Sequence, residues 1–142
     1  MIEDVFVTKL DIIDVCGGNV MHAMKKTSNG YIDFGEAYFS KINKGVIKAW
    51  KRHKNMTLNL IVPVGGIKFI LFDDRDKSNV QFQKVILSKD NYCRLTVPPM
   101  IWMGFQGLLY DESTLLNIAD IEHNPNEFDR INIEDIEFNW SN

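Results

Sequence analysis

The sequence predicts an all-β protein built as an antiparallel barrel, on three observations. From Glu36 onward, short runs rich in β-branched and aromatic residues recur roughly every ten to fifteen residues. Each run is bounded by Gly, Asp, Asn or Pro, the residues that turn or interrupt a strand. No internal repeat, low-complexity tract or linker divides the 142 residues, so a single domain over 1–142 suffices, and a chain of that length buries about two-thirds of its unfolded surface.

In chain order, a first strand is expected over 4–15, set off by Gly17-Gly18 and able to complete its own sheet or a partner's. Strands follow over 36–42, 46–52, 57–64, 67–73, 82–87, 93–97, 103–109, 113–119 and 134–138. Gly65-Gly66, two residues that tolerate positive φ between apolar runs, predicts a tight hairpin. Residues 73–79 form a polar loop, and 124–128 a turn or short helical segment. Pro98-Pro99 ends a strand, because proline donates no ladder hydrogen bond.

Composition narrows the function. A net charge of −3 lacks the excess of Lys and Arg that neutralises phosphates, which argues against general nucleic-acid binding. The N-terminal MIEDVFVTKL has no basic stretch leading into an apolar run, and no segment approaches the eighteen or so apolar residues of a membrane span. The two cysteines, Cys16 and Cys93, have no paired spacing, which suits a reducing compartment. A cytoplasmic protein with no membrane association is expected. Motifs for dinucleotides, nucleoside triphosphates, acyl transfer and metalloproteolysis are all missing.

A longer-range order does emerge. Gly45-Val46-Ile47-Lys48-Ala49-Trp50-Lys51-Arg52-His53-Lys54 is followed by Gly65-Gly66 and Phe72-Asp73-Asp74-Arg75. Then come Val85-Ile86-Leu87-Ser88 and Leu95-Thr96-Val97-Pro98-Pro99-Met100-Ile101-Trp102-Met103-Gly104-Phe105. Asn124-Pro125-Asn126-Glu127 and residues 133–140 close the series. This progression, over about residues 35–140, resembles the dTDP-4-dehydrorhamnose 3,5-epimerases. The resemblance implies a cupin-type double-stranded β-helix, or jelly-roll barrel, with short helical segments at its ends. It also implies a nucleoside-diphosphate sugar as ligand and a homodimer, for which an exchanged N-terminal strand is one route.

In that family the site combines an Arg-Gly-Leu-His run, a Lys on the next strand, a His before Gly-Phe and a Tyr on a later strand. Here Lys48 replaces the Arg and Lys51 the His, Asn59 falls at the Lys, Met103 at the second His and Asn117 at the Tyr. Fold and activity separate at this point, because function belongs to the site. Epimerisation beside a C4 ketone needs a base on one face, an acid on the other and a cation for the enolate between them. Asn117 cannot exchange a proton. Lys51 would need its pKa of about 10.4 lowered by roughly three units to act as a base at neutral pH.

His53 offers another base. Residues two apart on a strand point the same way, so Lys51 and His53 share one wall. The deoxysugar 3,4-ketoisomerase cupins are similar here, with a His-x-His whose second member matches His53. Lys51 and His53 are therefore the catalytic candidates, His53 as base and Lys51 as the enolate's cationic partner. A solvated rim histidine is the competing reading of His53. Lys48, Arg52 and Lys54 suit a diphosphate, though alternating cations also mark a wetted strand face. Asn59, Met103 and Asn117 are substrate-binding candidates by position, and Trp102, with Trp50, Tyr38 and Phe105, could stack on a base or sugar, though such aromatics are commonly core. Asp73 and Arg75 read as a turn and an ion pair. His22 and His123 have no companions. A metal-binding cupin needs a His-x-His, a downstream carboxylate and a further His; here Lys51 occupies the first position and no His lies between His53 and His123. No metal or cofactor is expected.

The functional reading is an isomerase moving a proton next to the ketone of a nucleoside-diphosphate 4-keto-6-deoxyhexose in surface-polysaccharide synthesis. Its rivals are a cupin that binds the sugar nucleotide without turnover, in a scaffolding or regulatory role, and a metal cupin with an unrelated substrate.

Overall fold

In the computed structural model, which describes residues 1–142, the chain forms strands β1 (Phe6–Lys9), β2 (Ile12–Val15), β3 (Gly18–Met21), β4 (Glu36–Asn43), β5 (Ile47–His53), β6 (Leu58–Asp73), β7 (Gln81–Ser88), β8 (Cys93–Val97), β9 (Trp102–Ala119) and β10 (Phe128–Arg130), with a 3-10 turn at Ile133–Asp135. No helix is long and apolar enough to cross a membrane. The all-β reading holds: β2 and β3 form a separate hairpin, and the other eight strands make one curled antiparallel sheet.

Two long strands curl that sheet. The first half of β6 pairs with β8 and with the end of β9, Leu58 opposite both Val97 and Ala119. Its second half pairs with β7 and with the start of β9, Phe72 opposite Phe82 and Trp102. β9 likewise carries β5 on its first half and β4 on its second. Two walls result: one holds β7, β5 and β10, the other β1, β8 and β4.

Between the walls lies an apolar core that includes Leu58, Leu60, Val62, Phe69, Leu71 and Leu95, all within 4 % of full burial. A second cluster of Trp50, Ile70, Trp102 and Ile136 packs outside the first wall, beneath the C-terminal segment. On the first wall, period-2 alternation divides β6 between these environments, with Phe69 and Leu71 in the core and Ile70 in the outer cluster.

Several expectations are corrected. Gly65-Gly66 does not close a hairpin: β6 runs through it, and residues 57–64 and 67–73 are two halves of one strand. The pair lets β6 cross from one wall to the other. Gly65 has φ +87°, a Cβ there would lie 2.2 Å from Ser113 Oγ, and the β6–β9 register shifts at this point, as at a bulge. The strands expected over 103–109 and 113–119 likewise join in β9, whose bend falls at Tyr110, φ 59°.

The single strand expected over 4–15 is instead β1, paired with β8, and β2, folded onto β3 through the Cys16-Gly17 turn. Residues 134–138 are not a strand. The 3-10 turn at Ile133–Asp135 overlaps their start, with the Asn132 amide donating to Asp135 Oδ2 at 2.7 Å, and the last strand is the short β10, paired with β5. Pro98-Pro99 follows the end of β8 as expected, and in the polar loop Arg75 is hydrogen-bonded to Asp73 through Nε and Nη2 at 2.9 Å.

Candidate active site

β5 brings chemistry to the barrel mouth because its side chains alternate. Trp50 and Arg52 turn outward: the Trp50 indole N–H donates to the Ile133 carbonyl at 3.1 Å, and the Arg52 guanidinium lies 4.4 Å from the Trp102 ring centre. Lys51 and His53 turn inward. They line a cleft of about 270 Å³, part of it open to solvent, together with Leu58, Val97, Ile101 and Met103. The space within it that water-sized spheres can occupy is only about 20 Å³, room for about one water, so a sugar would sit over it at the mouth.

His53 is held by a partner the sequence did not reveal. Its Nδ1 is hydrogen-bonded to Oε1 of Glu127, a carboxylate only 5 % exposed. The other carboxylate oxygen, Oε2, accepts from the backbone amides of Lys54, Asn55 and Met56 at 3.1, 3.0 and 3.0 Å. Three amides and an imidazole thus surround one buried anion, as a buried charge requires. Burial pushes the Glu127 carboxyl up, but the hydrogen bonds from His53 and from the Asn55 and Met56 amides outweigh it, and its pKa falls below the ordinary value.

With an ionised acceptor at Nδ1, the neutral imidazole carries its proton there and leaves the Nε2 lone pair free. Burial lowers the His53 pKa below 6.5; the hydrogen bond and charge of Glu127 oppose that shift, and Lys51 and His123 reinforce it. At neutral pH this arrangement is an unprotonated base in an orienting bond. Lys51 lies beside it, its Nζ 4.1 Å from the centre of the Phe128 ring. Its pKa is also lowered, first by burial and then by Arg130, against the opposing charges of Glu127 and Glu36. A cation and a neutral base in one cleft can together remove a proton and stabilise the oxyanion that forms.

Of the predicted site residues, the fold brings together Lys51, His53 and Met103. The others lie apart from the cleft lining. Arg52 is engaged on the outer face with Asp129, 2.8 Å away, and Asp74, 3.6 Å away. Trp102 is in the outer apolar cluster. Lys48 is exposed, its Nζ donating to the Lys41 carbonyl at 3.3 Å. Asn59 is buried outside the core, where its side-chain oxygen accepts from Arg94 Nε and Thr96 Oγ1. Its neighbour Leu58 lines the cleft instead, since one step along a strand changes the face. Asn117 is buried on the second wall, its Nδ2 donating to Ser40 Oγ at 3.1 Å. Glu127 was read as part of a turn, and residues 125–126 do turn. Its position within the family-like Asn124-Pro125-Asn126-Glu127 stretch was the available signal.

No family model matches the chain. Among solved structures it is similar to a dTDP sugar isomerase from Desulfovibrio desulfuricans G20, 35 % identical over 98 % of this chain and 92 % of that one, with a TM-score of 0.92. Among curated proteins it is 28 % identical to the spore coat polysaccharide biosynthesis protein SpsL of Bacillus subtilis (strain 168), over 99 % of this chain and 97 % of that protein. It is also 28 % identical, over 82 % of its length and 77 % of the relative's, to a Haloferax volcanii protein named probable low-salt glycan biosynthesis epimerase Agl13.

Proposed function

This chain belongs to the dTDP-sugar isomerase family of epimerase-like cupins, and we propose that it moves a proton next to the ketone of a nucleoside-diphosphate 4-keto-6-deoxyhexose during polysaccharide synthesis. The observation that carries the reading is the Glu127–His53 pair in a cleft shared with Lys51. The substrate's own C4 ketone acidifies the adjoining C–H bonds. His53 Nε2 takes the proton, and the Lys51 ammonium stabilises the enolate oxygen. Met103 and Leu58 give the sugar an apolar floor, and the diphosphate extends out of the mouth, toward Arg130 beyond Phe128.

The reading places the enzyme in the cytoplasm, where sugar nucleotides are made, and as a homodimer. Supporting the dimer, the β2–β3 hairpin stands apart from the barrel and leaves Ile13, Val15 and Val20 about half exposed, an apolar face suited to a second copy.

Incubation with TDP-4-keto-6-deoxyglucose in deuterated water tests the function. Solvent deuterium is expected at a carbon adjoining the ketone, above a buffer control, by NMR. Measurable binding without exchange would instead make the protein a sugar-nucleotide-binding cupin without turnover.

A further inference from the structure

A base on one face of a sugar ring returns the proton to that face unless a second group supplies one from the other, and the second wall of the barrel carries such a group. The residues there line up in rows. Val97, Leu58, Ala119 and Glu36 are mutually opposite on β8, β6, β9 and β4, and Leu95, Leu60, Asn117 and Tyr38 form the next row inward. Val97 and Leu58 line the cleft, so Tyr38 is one step in from its rim.

The facing is fixed by neighbours on β4. Ser40, two residues from Tyr38, accepts from buried Asn117, and Ile42, two further on, is in the core. Tyr38 therefore faces the interior, yet it remains 42 % exposed, because β4 is the edge of its wall and the barrel opens there. β5 flanks the same opening, Lys48 Nζ bonding the Lys41 carbonyl of β4. The Glu36 carboxylate acts on both Lys51 and Tyr38, which puts all three at one mouth.

We propose that Tyr38 is the acid opposite His53, so that the enzyme inverts the carbon it deprotonates. This rests on the proton transfer proposed above. His53 Nε2 takes the proton from C3 or C5, and the C–H electron pair becomes the enolate C=C bond while C4=O becomes C4–O⁻. The Tyr38 hydroxyl then gives its proton to the opposite face, C4=O re-forms, the phenolate regains a proton from water and the imidazolium loses one to water. Burial, and then the charge of Glu36, raise the Tyr38 pKa above 10.0, so the phenol holds its proton at neutral pH. Tyr38 would thus take over, from the adjacent strand, the role that Asn117 cannot perform.

Tyr38→Phe tests this with TDP-4-keto-6-deoxyglucose in deuterated water, product stereochemistry and deuterium being read together by NMR. Wild type is expected to give deuterated, inverted product. The folded variant, checked by its melting temperature, should lose inversion by roughly 10²–10⁴-fold while still washing deuterium into the same carbon with retention. Inversion by Tyr38→Phe at the wild-type rate would overturn the proposal, as would wild-type exchange without inversion or a folded variant that no longer exchanges. Absence of any exchange by wild type would remove the proton transfer itself, a different failure.

Discussion

The two faces of β5 are built to opposite ends. The outward face is saturated: Trp50 is 1 % exposed with its N–H bonded to Ile133, and Arg52 is stacked on Trp102 and paired with Asp129 and Asp74. The inward face holds Lys51, with an aromatic ring as neighbour, and His53, whose single side-chain partner leaves one ring nitrogen free. The contrast shows how one strand can be held rigid by one side while the other keeps its reactive atoms uncommitted.

Substitutions on the two faces should therefore separate activity from stability. The largest effect on turnover is expected from His53→Ala, a loss of deuterium exchange of roughly 10²–10⁴-fold with TDP affinity kept within about tenfold by calorimetry. On the other face, Trp50→Ala should destabilise the fold by about 3–5 kcal/mol in denaturant titration, with exchange per folded molecule preserved. Equal losses of exchange from both changes would dissolve the distinction between the faces.

Glu127→Gln sharpens it. An amide cannot hold the imidazole as the carboxylate does, so exchange should fall roughly 10–100-fold, the scale seen when carboxylates that orient imidazoles elsewhere are removed. The pH profile should move as well. The folded His53 pKa lies below 6.5, so wild-type exchange should stay on its plateau through neutrality and fall on the acid side as the imidazole protonates. Glu127 raises that pKa, while Lys51 and His123 lower it, so Glu127→Gln should move the acid limb to lower pH. Movement to higher pH would contradict the pairing. For stability, lowered folded pKa values of both His53 and Glu127 mean that the unfolded chain binds the extra protons. Their contribution is thus complete above 6.5 and lost as pH falls, first through His53 and then through Glu127.

The smallest effect is expected from Arg52→Ala. With its guanidinium held by Asp129 and Trp102, its removal should lower the melting temperature slightly and leave TDP affinity unchanged. A tenfold loss of affinity would return Arg52 to the ligand.

The strand content and most strand positions were legible because period and bounding residues are local properties. Gly65-Gly66 was misread because positive φ serves both a hairpin and a crossing between walls, and only the pairing of β6 with β9 tells them apart. That Lys51 and His53 share one side followed from alternation, and that this side is the inner one from their match to the family's His positions. Asn59 shows the weakness of the same rule, since an offset of one residue exchanges the cleft for the outer layer. Glu127 lay in a family-like stretch, but its role was not legible: it meets His53 across 74 residues, and a buried carboxylate in a turn is spelled like a solvated one.

The central claim, a neutral imidazole whose Nε2 is left free by Glu127, is tested most directly by the ring ¹⁵N resonances of His53 at neutral pH. The account predicts a protonated Nδ1 and an unprotonated Nε2. A proton on Nε2, or a doubly protonated ring, would contradict it.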